Sequence, residues 1–409
     1  MFARTMAATL RRQALHYPVV TLTGPRQSGK TTLARQAFPD LAYANLEDPG
    51  QREYALHDPR EFLVSQAGGL IIDEAQRAPD LFSYIQALVD QDDSPGRFIL
   101  TGSHDFLLMR SIRQSLAGRA AVLRLLPLSL AELRDRAPID LEQLGRPLPP
   151  ASATPSVRDN TRDTPATPGL LETLFAGGYP QLHDKGIAPG DWLANYVRTY
   201  VERDVAEVLQ VSDLEAFGRF LGLCAGRNAQ LLNLTSLAND CGITHPTARS
   251  WLSVLETSYI VKLLRPHHRN FSKRLVKSAK LYFLDTGLLC YLLRIRSPEE
   301  LRTHALRGAV FESFVFSELM KNQLNRGLEA DLYFWRDSSG KEIDFVIDRG
   351  HELVPVEAKS AITISEDALA WLGHWQALAG QEGGPAALVY GGDTCVNRST
   401  AAVYSWNVL

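Results

Sequence analysis

Residues 19–32 read Val19-Val20-Thr21-Leu22-Thr23-Gly24-Pro25-Arg26-Gln27-Ser28-Gly29-Lys30-Thr31-Thr32, and the fold of the first third of the chain follows from them. A β-rich run ends on the first glycine of the pattern GxxxxGK[ST], and an amphipathic helical stretch, TTLARQAF, follows. Glycines there let backbone N–H groups curl around phosphate oxygens, and the positive end of the helix that starts near Lys30 points at the same anion. A string of this length occurs by chance; the strand before it and the helix after it supply the context the chemistry needs. Gly24, Pro25, Arg26, Gln27, Ser28, Gly29, Lys30, Thr31 and Thr32 are therefore expected to bind ATP. Lys30 would reach the β- and γ-phosphates, and the Thr31 hydroxyl would bind Mg²⁺.

Outward from this stretch, short apolar runs alternate with connections long enough for helices: VVTLTG (19–24), AYANLE (42–47), LIIDE (70–74), RFILTGS (97–103) and AVLRLL (121–126). That alternation predicts a parallel sheet between helices. LIIDE ends in two carboxylates, read as Asp73 holding Mg²⁺ and Glu74 polarising the attacking water. At the end of FILTGS, Thr101 or Ser103 positions the water or senses the γ-phosphate, or caps the next helix. In SLAGR, Arg119 is either a surface residue or a finger reaching a neighbouring subunit's nucleotide. Catalytic roles thus fall on Lys30, Glu74, Ser103 and Arg119.

GPRQSGKTTLARQAF, LIIDEAQRAPDL, FILTGS and SLAGR together resemble the AAA+ class ATPases of bacteria and archaea. More narrowly, AGGYP (176–180), YVERDV (200–205), KRLVKSAKLYFLDTGL (273–288) and GAVFESFV (308–315) resemble a prokaryotic branch with a C-terminal domain of unknown function. The likeness spans nearly the whole chain except a Pro-rich insertion. It implies ATP hydrolysis and homo-oligomers with sites at subunit interfaces, and it carries no agreed substrate.

The 409 residues suffice for two to four domains, and a composition 45% hydrophobic and 22% charged excludes wholesale disorder, collagen and coiled coil. Three domains and an insert are expected: an AAA+ core over 1–135, a Pro-rich insert or linker over 136–168, a helical and winged-helix unit over 169–300, and a nuclease-like α/β unit over 301–409. The insert holds seven of the 22 prolines. The four cysteines lie far apart with no CxxC pair, which argues against a disulfide scaffold and a Cys-ligated zinc, and suits reduced thiols of a cytoplasmic protein. No apolar run approaches a membrane span, and MFARTMAATLRRQALHYP reads as an amphipathic helix rather than a secretion signal.

A net charge of -3 confines any nucleic-acid contact to a local patch. LTSLANDCGI, a turn, and then TARSWLSVLETS beginning around Thr244-His245-Pro246 read as a helix-turn-helix, with YIVKLLRP as the strand of a wing. The second helix would present His245, Thr247 and Arg249 to a groove. Lys262, Arg265, Arg269, Lys273, Arg274, Lys277 and Lys280 follow with no acidic residue among them, a run suited to phosphates. The bland alternative is a winged fold used for subunit packing, with the run as a solvated face.

In KEIDFVID, alternation puts Glu342 and Asp344 on one face and Ile343, Phe345 and Ile347 on the other. Glu357 and Lys359 share a face of the next strand. With Glu312 on the preceding helix, Asp344 and Glu357 would bind Mg²⁺ or Mn²⁺ beside Lys359. This resembles the PD-(D/E)xK restriction-endonuclease-like arrangement, which stands open between an active DNase, an inactive binding fold and a plain solvent-facing sheet edge. The functional expectation is an ATP-hydrolysing, DNA-acting motor or switch; the alternative is a nucleotide-gated regulatory or protein-interaction ATPase whose nuclease-like domain is inactive.

Overall fold

The computed structural model describes residues 2–66, 68–103, 108, 112, 114–148, 168–201, 213–267, 278–337, 339–364 and 366–409. Of the basic run, Arg269, Lys273, Arg274 and Lys277 lie outside the described residues.

Five strands form the expected parallel sheet: β1 (Val19–Thr23), β2 (Ala42–Asn45), β3 (Leu70–Asp73), β4 (Phe98–Gly102) and β5 (Ala120–Arg124), in the order β2-β3-β4-β1-β5. Every residue of β1, β3 and β4 is buried, as strands covered on both faces require. Alternate residues feed two cores. Val20, Leu22, Ile71 and Ile99 meet the helices Met6–Ala14 and Lys30–Ala37, while Val19, Leu70, Ile72 and Leu100 meet the helix Leu81–Val89. The chain leaves β1 for the far edge and returns to its other side with β5, so the carboxyl end of β1 is the crevice where open α/β sheets bind ligands. The turn there needs glycine. Gly24 has φ +145°, and a Cβ would lie 2.1 Å from the Leu125 carbonyl oxygen.

The middle of the chain carries a three-stranded antiparallel sheet, β6 (Gln230–Leu231), β7 (Val261–Leu264) and β8 (Lys280–Phe283), with β8 central. The helices Leu234–Cys241 and His245–Thr257 lie in sequence between β6 and β7. Gly242 ends the first in the left-handed conformation, and the Thr244 hydroxyl accepts the Thr247 N–H at the start of the second.

The last third forms a six-stranded mixed sheet, β9 (Leu332–Arg336), β10 (Glu342–Asp348), β11 (Leu353–Lys359), β12 (Ala387–Tyr390), β13 (Val396–Asn397) and β14 (Ala402–Ser405), ordered β13-β14-β12-β11-β10-β9. The helix Arg307–Asn325 covers one face and the helix Glu366–Ala379 the other. The strict alternation expected along β10 breaks at a bulge between Ile343 and Val346. Phe345 and Ile347 join the core beneath Arg307–Asn325, whereas Ile343 and Val346 join the opposite core.

Two further features differ from expectation. Residues 136–148, which composition assigns to the linker, are seated on the C-terminal sheet: Leu141 and Leu144 are buried, and the Gly145 N–H donates to the Tyr404 hydroxyl at 3.0 Å. Two leucines with correct spacing outweigh the surrounding prolines. One continuous apolar cluster also runs from Leu126 through the middle helices to Leu409. The AGGYP and LDTGL strings interlock inside it, with the Gly178 N–H donating to Asp285 Oδ2 at 2.7 Å.

The Gly24 geometry predicts that Gly24→Ala costs about 1–3 kcal/mol of folding stability or more, because its Cβ meets rigid backbone. A urea unfolding midpoint equal to that of the wild type would refute this.

Candidate functional site

The carboxyl ends of β1, β3 and β4 bring the expected residues together. Asp73, 7% exposed, accepts from the Thr31 hydroxyl at 2.8 Å and the Tyr43 hydroxyl at 2.9 Å through Oδ2, and from the Thr101 hydroxyl through Oδ1. Glu74 adopts a left-handed backbone, φ 53°, that turns its carboxylate out of line with β3. Its Oε2 accepts from the Ser103 hydroxyl at 3.0 Å and from the Gln76 amide. Burial works against the Glu74 charge, but the Lys30 ammonium and these two hydrogen bonds outweigh it and hold the group below the ordinary carboxylate range.

Lys30 begins its helix behind Gly29, and its Nζ donates to the Gly24 and Pro25 carbonyls at 2.9 and 2.7 Å. Burial lowers its pKa to about 8 against the pull of Glu74 and Asp73. A cavity of about 560 Å³ opens over this loop, lined also by Phe2, Arg4, Pro180, Gln181 and Asp184. Arg4 fixes the loop from behind by donating to the Ser28 carbonyl at 2.6 Å and the Leu126 carbonyl at 2.7 Å. Thr31 and Asp73 present hard oxygen donors side by side, a donor set that fits Mg²⁺.

Thr101 and Ser103 both face the carboxylates. Arg119 does not approach this chain's own loop. It precedes β5 at the amino end of the sheet and pairs with Asp90 at 2.5 Å. Tyr43 and Gln76 escape the sequence reading. Gln76 follows the acidic pair by two residues in LIIDEAQ, a spacing that a one-turn helix after the strand brings back onto Glu74. Tyr43 carries no such signal.

Three family models match the chain: AAA domain over residues 16–134, Domain of unknown function (DUF8612) over 167–299 and Domain of unknown function (DUF4143) over 307–408. Over 365 residues the sequence is 32% identical to an uncharacterized protein of Mycobacterium tuberculosis, covering 88% of this chain and 75% of that protein. The chain belongs to that protein's family, and it is an AAA+ P-loop ATPase. An uncharacterized protein of Methanocaldococcus jannaschii is 22% identical over 347 residues, 80% of this ATPase and 72% of the relative. Among solved structures, the Walker-type ATPase paby2304 of Pyrococcus abyssi is 16% identical with a TM-score of 0.43, over 70% of this chain and 94% of that one. Thermotoga maritima RuvB is 19% identical with a TM-score of 0.28, over 64% and 86%. Both scores lie below the level at which a shared fold follows.

Elsewhere in the ATPase, Arg249 and Arg265 are exposed, and His245, Thr247 and Lys262 are half-buried, with Lys262 paired to Glu256 at 3.1 Å. Lys280 departs from the basic face expected of it. It is 2% exposed and turned inward. Its Nζ donates to Glu312 Oε1 at 2.9 Å and pairs with Glu342 Oε1. Glu312, Glu342 and Asp344 bring carboxylate oxygens within 4.8 Å of one another, so Glu342 takes the place expected for Glu357. Glu357 lies beside Asp344, but its Oε2 accepts from Lys359 at 2.6 Å. Burial and then the Asp344 charge raise Glu312 to about 7 and Glu357 to about 8. Of the expected set, Glu312 and Asp344 thus meet with Glu342 in one acidic cluster, and Glu357 and Lys359 lie beside Asp344. Among the described residues, no helix is long and apolar enough to cross a membrane, and all four cysteines are free thiols.

Phosphate contact would restore Lys30 to an ordinary lysine pKa, so ATP binding near pH 9 is expected to take up most of one proton. Calorimetry in buffers of different ionisation enthalpy measures this, and zero uptake would refute it.

Proposed function

We propose that this AAA+ protein hydrolyses ATP in the crevice at the end of β1 and uses the cycle to act on DNA. The observation that carries the reading is the pair of clamped carboxylates. Asp73 is held by Thr31 and Thr101, and Glu74 by Ser103 and Gln76, both acting on the Lys30 charge, with Glu74 and Lys30 lining one cavity.

The residues from Gly24 to Thr32 would cradle the phosphates with backbone N–H groups. Lys30 would leave the Gly24 and Pro25 carbonyls to meet the β- and γ-phosphates. Mg²⁺, when bound between Thr31 and Asp73, supplies neutralisation of the phosphate charge. Glu74, kept ionised by its neighbours, would orient a water and accept its proton. Arg119 would act on a neighbour's nucleotide, which makes the working form a homo-oligomer.

DNA contact is supported by the order helix, β6, helix, helix, β7, β8, the order of a winged helix within the proposed 169–300 unit. His245, Thr247, Arg249, Lys262 and Arg265 would face the duplex, joined by Arg269, Lys273, Arg274 and Lys277. The restriction-endonuclease-like reading of 301–409 is supported by the order of a helix with Glu312, then Asp344 on β10, then Glu357 and Lys359 on β11. The second reading, a nucleotide-gated regulator whose nuclease-like unit does not cut, is favoured by the inward Lys280.

Lys30→Ala is expected to abolish ATP hydrolysis, and Glu74→Gln to slow it by ~10²–10⁴-fold while retaining nucleotide binding. Retained turnover in Lys30→Ala would overturn the site. DNA is expected to stimulate hydrolysis at low salt, with affinity falling steeply as salt rises. No stimulation by single-stranded, duplex or branched DNA would select the second reading.

A further inference from the structure

A nuclease of the type the C-terminal sheet suggests would hold a divalent ion among Glu312, Glu342 and Asp344, and the residues present do not fit one. The space between the carboxylates is served by the ammonium of Lys280. Its backbone belongs to the middle sheet: Lys280 pairs with Leu264 of β7 and Leu231 of β6. Its side chain crosses to the other sheet, passing over the Phe334 ring at 5.7 Å.

We propose that Lys280 is the built-in cation of the C-terminal acidic cluster. It replaces a divalent ion there and fastens the middle sheet to the C-terminal one.

Charge counting supports this. Four carboxylates, Glu312, Glu342, Asp344 and Glu357, face Lys280, Lys359 and Arg336, the last donating to Glu342 Oε2 at 2.9 Å. One shared proton would bring the cluster to neutrality, so a divalent ion would overcharge it. Hydrogen bonding agrees. Glu312 Oε1 accepts from both Lys280 and the Tyr282 hydroxyl, while Asp344 Oδ2 accepts the Ala358 N–H at 3.0 Å and Lys359 at 3.5 Å. Glu312 Oε1 and Asp344 Oδ2 thus each meet two donors of the protein itself. A buried ammonium is tolerated only where such partners surround it, and Lys280 has them. Burial opposes its charge, yet Glu312, Asp344 and Glu342 hold it above the ordinary lysine range. The inference rests on the restriction-endonuclease-like reading of the C-terminal sheet and does not depend on the ATPase reading.

The test is Mn²⁺ titration of the full, nucleotide-free chain, followed by the electron paramagnetic resonance of free Mn²⁺. The wild type is expected to bind none at the cluster. Lys280→Met should gain one site, at least tenfold tighter than any in the wild type, and Glu342→Gln added to that variant should remove it. Stoichiometric Mn²⁺ on the wild type that Asp344→Asn abolishes would overturn the proposal. So would a folded Lys280→Met that binds none. If Lys280→Met fails to fold, the double variant Lys280→Met, Glu312→Gln removes charge from both sides and should recover a cooperative thermal unfolding transition. A double variant that likewise fails to fold would equally overturn the proposal.

Discussion

A carboxylate largely withdrawn from water must be met by donors, and Asp73, 7% exposed, sits at the end of a wholly buried strand. Its donors come from three directions: Thr31 from the helix behind the phosphate loop, Tyr43 from β2 on one side and Thr101 from β4 on the other. Each partner is in place only if the strands are ordered β2-β3-β4-β1. The same order sets Ser103 against Glu74. The sheet topology and the chemistry of the crevice are therefore one requirement. A slip of any of these strands would strand a buried charge.

Much of this was legible in the chain because it is written locally. The phosphate loop, the acidic pair after LIID and the hydroxyls after FIL each follow an apolar strand directly, and all five strands of the sheet formed within a residue or two of the runs that announced them. The helix pair at Leu234–Cys241 and His245–Thr257 was marked in the same way by a glycine and a capping threonine.

What was not legible depends on distant contacts. Lys280 stands in a run of seven basic residues, and nothing near it in sequence says that it turns inward; Glu312 and Glu342 lie 32 and 62 positions away. The bulge in β10 is invisible to a period-two reading, yet it decides which apolar residues face which core. Tyr43 reads as one more aromatic residue of a strand until β3 is laid beside it. Leu141 and Leu144 are two leucines in a proline-rich context, and only the C-terminal sheet gives them somewhere to go.

The helix Arg307–Asn325 has a consequence of its own. It touches β5, β8 and β11, one strand from each sheet, and its last carbonyl accepts from the Thr9 hydroxyl of the first helix at 2.8 Å. Serines, Glu318, Lys321 and Asn322 are buried along it beside phenylalanines, so from Ser313 onward it has no solvent face by which to part from one neighbour and keep the others. Its amides should exchange with solvent only when the whole molecule opens. The three sheets then behave as a single cooperative unit around one axle, and a fragment cut on either side of that helix would lose the partner that closes its core.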